Sequence, residues 1–489
     1  MTSTTDTSIK ADFDRTDPEA IFDYSENIIG KSLHSIVGKA AMERLRKGKG
    51  GLGQMVEELF FGYGVNSDRS ADFSEASLEL KCTPLLRSGK DGSFRIKERL
   101  VCTMIDYFEL VATDFKDSHL LRKCGLMLLL FYLHKKDVPL YDYEFLFRVL
   151  WQLPEKDLMI IESDYETIRT KVKEGNAHLL SEGDTLYLGA CRKGQKGDNP
   201  QDQPYSAVKA KKRAFSLKPS YMRYVLSHVT GQKNRSYSNF SRRKNEKLQL
   251  VSEDELRKAS FEQVITQRFS RFLGMDYIEI CDSLEEDAYQ SKSKHADIAG
   301  LIASDKASKR ITSAEEFLKS GIILKTVRIS GNGMPKESMS FKNIDYQEIY
   351  ENDEWEDSEL YELFTRRFLF VVFKETDREI EIRNRKTGQT TNENAYVLDK
   401  VFFWTMPPRD LDRAKDFWLH IKEQVVNDRI SLDSFWNISD DKDFHIRPKG
   451  KKGNYKNCAV NPNGGMADKL CYWFNAKYVK SVIEAYSKG

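Results

Sequence analysis

The chain has 489 residues, 40% of them hydrophobic, with 28 Phe, 22 Tyr and 6 Trp. It is too long for one ordinary core and too rich in apolar side chains to be disordered, so two to four domains are expected. A net charge of +2 excludes no partner, while seven cysteines without a C-x-x-C pair indicate neither a disulfide framework nor a zinc site.

The N-terminal "MTSTTDTSIKADFDRTD" lacks the basic start and apolar stretch of a signal peptide. The longest apolar run, Cys124 to Leu133, is about half a membrane span. A cytoplasmic protein without a membrane partner is expected. Apolar periodicity predicts helices over Ile28 to Leu45 and Gly53 to Phe61, the second carrying Glu58 towards a glycine turn. "GKS" at Gly30 has Ser25 where a phosphate loop needs glycine, so no nucleotide cofactor is expected. "SLELKCT" (Ser77 to Thr83), "GLMLLLFYL" (Gly125 to Leu133) and "LYLGAC" (Leu186 to Cys191) read as strands, giving an α/β class with a mixed sheet flanked by helices. Between Val208 and Lys247 twelve Lys or Arg face one acid, with aromatics interleaved, and a second basic cluster runs from Arg447 to Lys456. Two such clusters favour a polyanion partner.

The chain also repeats itself. "ADFSEASLELKCTP" from Ala71 aligns with "EEFLKSGIILKTVR" from Glu315, matching Phe73 with Phe317, Leu80 with Leu324 and Lys81 with Lys325. Each copy continues into an apolar strand, the second at "FLFVVFKE" from Phe368. "FSLKPSYMRYVL" (Phe215 to Leu226) and "YWFNAKYVKSVI" (Tyr472 to Ile483) close them alike. Asp72 to Tyr221 spans 149 positions and Glu316 to Tyr478 spans 162. The expected organisation is one fold present twice in tandem: residues 1–230, a linker at 231–260, and residues 261–489.

In the first copy, side chains alternate along a strand, so Glu79 and Lys81 share a face while Leu80 turns to the core. Asp72 joins them if Phe73 to Ser77 form a turn. The result is D-x6-E-x-K, two carboxylates and a lysine converging. Carboxylate oxygens suit Mg²⁺, which completes its shell with water and phosphate oxygens. Such a metal stabilises charge on a phosphodiester and acidifies water. In the second copy Glu316 keeps an acid, but Ile323 replaces the second carboxylate with an alkyl group that cannot bind a hard cation. The eight histidines form no H-x3-H cluster, which argues against zinc catalysis.

The order E-x3-G, D-x6-E-x-K, K-E-R-L and a lysine before an apolar strand resembles the MutH-like mismatch-repair nucleases. It resembles more closely the large Sau-three-A type restriction endonucleases of the PD-(D/E)XK superfamily. The family phrases stand here as "LELKCTP", "KERLV", "LSEG" (Leu180 to Gly183), "QPYSAVKAKKRAFSLKPSYM" (Gln203 to Met222) and "WEDSE" (Trp355 to Glu359), spread over most of the chain. The resemblance implies a restriction-endonuclease-like fold with a degenerate second copy. It implies Asp72 and Glu79 as metal ligands, Lys81 as catalytic lysine, Glu58 as supporting acid and Lys123 as a further lysine. Arg122 adjoins Lys123, and spacing does not choose between them.

On this reading the protein is a type II restriction endonuclease that hydrolyses double-stranded DNA at GATC with Mg²⁺, cutting before the G to leave a 5′ overhang. The competing reading is a MutH-like nicking or DNA-binding repair protein that waits for an activating partner. Candidates to meet DNA are Arg192, Lys193, Lys209, Lys211, Lys212, Arg213 and Lys218, most of them through phosphates. GATC is palindromic and the chain carries one intact site. Either two chains meet on the DNA or one chain cuts the strands in turn, with the second domain binding a further DNA copy.

Overall fold

The computed structural model describes residues 12–37, 51–64, 70–87, 92–193, 200–231, 248–383, 388–449 and 454–487. Two compact units are present: Met1–Glu246 with Leu318–Ser320, and Lys247–Phe317 with Gly321–Gly489. Among the described residues no helix is long and apolar enough to cross a membrane.

The first unit is built on a four-stranded mixed sheet of β1 (Glu79–Arg87), β2 (Phe94–Ile96), β4 (Leu126–Leu133) and β5 (Phe145–Gln152), in the order β2-β1-β4-β5. A second sheet has the order β3-β9-β6, from β3 (Leu100–Met104), β6 (Leu188–Arg192) and β9 (Arg213–Leu217). β7 (Gln201–Gln203) and β8 (Ser206–Ala210) form a separate hairpin. β4 is one of the sheet's two interior strands, parallel to β1 and antiparallel to β5. Covered on both faces, it has no polar side to present, which is why its sequence is an unbroken apolar run.

The helix Glu155–Lys173 begins with Glu155 and Asp157 and ends with Lys171 and Lys173, charges that suit its dipole. Its buried stripe includes Ile160, Ile161, Tyr165, Ile168 and Val172. Asp164, on the same stripe, accepts from the backbone N–H groups of Leu186, Tyr187 and Leu188 at 2.7, 2.7 and 2.9 Å, tying the start of β6 to the helix. The N-terminal segments pack Ile21, Phe22, Leu52, Val56, Phe60 and Phe61 against Phe73, Leu128 and Leu130.

The second unit repeats this plan. β10 (Ile323–Ile329) pairs in parallel with β12 (Phe368–Arg383), which pairs antiparallel with β13 (Thr390–Trp404). A sheet β11-β17-β14 follows, from β11 (Met339–Asn343), β14 (Phe444–Arg447) and β17 (Cys471–Phe474), and β15 (Ala459–Val460) pairs with β16 (Met466–Ala467). The helix Pro408–Val426 has the 19 residues of Glu155–Lys173. The closing helices also match in detail: Tyr221 donates to Asp157 at 2.7 Å and Tyr478 to Asp410 at 2.7 Å, each joining a C-terminal helix to the first turn of the long one.

Two expected boundaries change. The helix expected from Ile28 begins at Leu33, because Ile29 and Ser32 form bridges to Phe145 and Glu144. Its expected end beyond residue 37 lies outside the described residues. Of the expected linker 231–260, residues 232–247 also lie outside them. Leu250 and Val251 are buried and Glu253–Leu256 is helical, so residues 248–260 are packed parts of the second unit.

Candidate active site

The D-x6-E-x-K stretch closes on itself at the start of β1. A 3-10 turn at Ser74–Ala76 and a left-handed Ser77 (φ 50°) reverse the chain, and Phe73 bridges to Leu78. Asp72 is thereby returned to the strand. Its Oδ2 accepts from the Leu80 N–H at 3.0 Å, and its own N–H donates to Glu79 Oε2 at 3.3 Å.

Glu79 is 1% exposed, so its carboxylate needs partners. Lys81 Nζ lies 2.6 Å and Lys123 Nζ 3.3 Å from its Oε1. Lys81 arrives by strand alternation. Lys123 arrives from the helix His119–Cys124, whose N-cap Ser118 accepts from the Leu121 N–H. Burial works to lower the Lys81 pKa, but the Glu79 carboxylate overrides it and holds the ammonium above its usual range. Burial, and then the charge of Glu79, raises the Asp72 carboxyl, with Lys81 and the Leu80 N–H opposing.

The third acid is not the one expected. Glu58 is exposed, whereas Glu57 is 5% exposed. Burial, followed by the charges of Asp72 and Glu79, pushes Glu57 up to about 7. The α-helix Leu52–Met55 passes into a π-helical turn at Val56–Phe60, and Glu57 lies on the inward face with Leu52, Val56, Phe60 and Phe61.

Three acids and two lysines therefore belong to one electrostatic cluster. Asp72 and Glu79 offer carboxylate oxygens held close despite like charge, a donor set of the hard kind that Mg²⁺ takes. Among the described residues no group of three or more His, Cys, Asp or Glu is arranged to hold a metal ion. A cation here would complete its shell with water or phosphate, as Mg²⁺ commonly does.

Of the candidate DNA contacts, Lys193, Lys209, Lys211 and Lys212 are exposed and Arg192 is half-buried at the end of β6. Lys209 pairs with Asp202 at 3.3 Å. Arg213 and Lys218 require correction. Arg213 is buried and donates to the Ala190 and Leu180 carbonyls; Lys218 is buried and donates to the Thr185 carbonyl, with its charge beside Asp164. Both hold the sheet together from within, and neither is presented to DNA.

The second unit supplies the contrast. Ile323 pairs with Phe368 as Glu79 pairs with Met127, and Lys325 with Phe370 as Lys81 with Leu129. The helix Glu359–Phe364 starts from a Ser358 cap as His119–Cys124 does from Ser118, which puts buried Leu363 in the place of Lys123. Glu316 accepts from the backbone N–H groups of Leu250 and Val251, so the acid retained from the motif serves as a backbone cap. Lys325 donates to the Ser340 carbonyl and lies 4.2 Å from the Phe341 ring centroid. Burial, and then the charge of Lys449, lowers its pKa to about 8.

Comparison with known proteins follows the same division. The sequence profile of the DNA mismatch repair enzyme MutH matches residues 61–164 and again residues 306–410. The type II restriction enzyme Sau3AI of Staphylococcus aureus is 30% identical, over 95% of this chain and 98% of its own length. The DNA mismatch repair protein MutH of Vibrio campbellii is 22% identical over 42% of this chain and 91% of its own length. MutH of Vibrio parahaemolyticus is 22% identical over 34% and 74%.

Proposed function

The chain belongs to the family of the type II restriction enzyme Sau3AI and is a site-specific endonuclease of the MutH-like kind, and from that premise we propose that it cuts double-stranded DNA at GATC with Mg²⁺, before the G. The observation that carries the chemistry is the buried Glu79 carboxylate, bracketed by Asp72, Lys81 and Lys123 at the head of β1.

Asp72 and Glu79 would hold the cation. When bound, Mg²⁺ supplies Lewis acidity towards a phosphodiester and the water that attacks it. Lys81 neutralises Glu79 and keeps a proton-bearing Nζ at the carboxylate, positioned to orient water. Lys123 brings a second positive charge from a different element, suited to a scissile phosphate. Glu57 stands behind the pair as a third acid. Exposed Lys193, Lys209, Lys211 and Lys212, with Arg192, are assigned to the DNA surface.

The second unit is assigned to DNA binding without cleavage, through a further DNA copy that promotes pairing of chains. With one cutting site per chain, a palindrome requires either two chains or two successive cuts. A rate independent of the number of sites on a plasmid would count against second-site binding. The full-length agreement with a type II enzyme favours autonomous cutting over an activator-dependent nickase, since the MutH relatives align with less than half of this chain.

The test is to incubate the purified chain with a plasmid of known GATC content, first with Mg²⁺ and then with EDTA. Metal-dependent fragments whose ends map before the G of GATC support the proposal. Nicks in one strand alone, or fragments elsewhere, overturn it.

A further inference from the structure

A cleft of about 690 Å³ in the first unit is lined by Lys123, the end of β3, the helix Tyr107–Ala112, Gln201 and Lys212. It shares Lys123 with the Glu79 cluster. Two large apolar side chains along it face water, Met104 at 44% and Phe108 at 56% exposure. Both line the same cleft as Lys123.

The start of the helix that carries Phe108 is fixed on both sides of it. Asp106 caps the helix by accepting from the Phe108 and Glu109 N–H groups at 2.9 and 3.1 Å. The neighbouring Tyr107 is buried, its hydroxyl donating to the Lys211 carbonyl at 2.6 Å. The acids nearby are already engaged, Glu109 with His119 at 2.9 Å and Asp202 with Lys209 at 3.3 Å.

The second unit acts as an internal control. Asp345 caps Tyr346–Glu351, and buried Tyr346 donates to the Asp468 carbonyl at 2.7 Å. Counting from these shared anchors, Gln347 stands where Phe108 does, and its side chain bonds Glu351 at 2.6 Å. β3 and β11 are both five residues long and pair alike at their first residues, Leu100 with Leu217 and Met339 with Phe474, so Asn343 stands where Met104 does. The copy without the second carboxylate carries amides at both positions. Neither apolar side chain is therefore required by the fold.

We infer that Phe108, with Met104 on the same cleft, stacks on a nucleobase of the DNA strand held for cleavage, next to the phosphate that meets Lys123. This rests on the endonuclease reading above. A nucleic-acid strand offers both things the cleft asks for, an anionic group beside Lys123 and a flat apolar face beside Phe108. Aromatic stacking is tolerant of base identity, so Phe108 positions the strand while other groups read sequence. The volume is that of a small-molecule site, room for a base and not for a duplex.

The experiment measures equilibrium binding of the full chain, without added metal, to duplexes containing one GATC. An abasic analogue replaces in turn each base of the site and its flanks. Phe108→Ala is expected to bind the intact duplex about 10- to 100-fold more weakly, Phe108→Trp to retain binding, and the Phe108→Ala penalty to vanish at one abasic position. Unchanged binding by Phe108→Ala overturns the inference, as does a penalty that persists at every abasic position. Cleavage by the wild type with Mg²⁺, run in parallel, reports on the endonuclease reading separately. Binding without cutting sinks that reading and leaves the Phe108 comparison valid. Cutting with an unaffected Phe108→Ala sinks only the stacking. A wild type that does not bind DNA sinks both.

Discussion

Lys325 holds in β10 the register that Lys81 holds in β1, yet its ammonium meets the Ser340 carbonyl where that of Lys81 meets the Glu79 carboxylate. One glutamate-to-isoleucine difference between the copies accounts for this. Without a carboxylate beside it, the amine is left to burial and to Lys449, and its pKa falls where that of Lys81 rises.

Cleavage should therefore depend wholly on the first unit. Glu79→Gln in the full chain is expected to lose at least ~10³-fold in rate, the several kcal/mol a bound cation contributes. Ile323→Glu added to that variant should restore nothing, because Leu363 and the backbone-capping Glu316 also differ from the first copy. Plasmid cleavage with Mg²⁺ checks both. Recovery of cutting in the double variant would mean that the second unit retains a site.

Burial makes opposite predictions for adjacent glutamates. Glu57→Gln should lower the cleavage rate about 10- to 100-fold, the usual cost of disturbing groups behind a metal's ligands. Glu58→Gln, on the exposed side, should change it less than about twofold, within the range of ordinary surface substitutions. Initial rates on one plasmid substrate decide between them, and a larger effect at Glu58 would reverse the assignment.

Basic residues that sit almost together in sequence should separate by phenotype. Lys212→Ala is expected to weaken DNA binding for all sequences alike and to reduce the slope of log K against log salt by about one. Arg213→Ala should instead destabilise the first unit by about 2–4 kcal/mol, because buried hydrogen bonds to the Ala190 and Leu180 carbonyls are lost. Salt titrations and denaturant melts on both variants provide the comparison.

Asp164 should leave a mark on stability against pH. Burial raises its carboxyl to about 6 from the ordinary 3.8, against three N–H donors and Lys218. Between about pH 4 and 6 the folded form holds a proton that the unfolded form has released, so this group's contribution to stability falls as pH rises through that window. The pH dependence of the urea midpoint should differ between wild type and Asp164→Asn by about one proton there. Parallel curves would contradict the raised pKa.

Much of the candidate site was legible because its signals are local. Strand alternation alone puts Glu79 and Lys81 on one face, and seven residues suffice to bring Asp72 back through a turn. The duplication was legible too, from matched phrases whose structural counterparts include the Tyr221–Asp157 and Tyr478–Asp410 bonds.

What the sequence by itself determined is the set of groups whose positions depend on period and short spacing: the D-x6-E-x-K cluster, the buried run of β4 and the lost carboxylate at Ile323. Tertiary structure alone decided which lysine completes the cluster and which cations stay outside. Lys123 reaches Glu79 from a helix more than forty residues away, and Arg213 is captured by carbonyls 23 and 33 positions distant. The physical reason is that periodicity fixes a side chain's direction only relative to its own element. Its burial and its partners depend on elements brought against it from elsewhere in the chain.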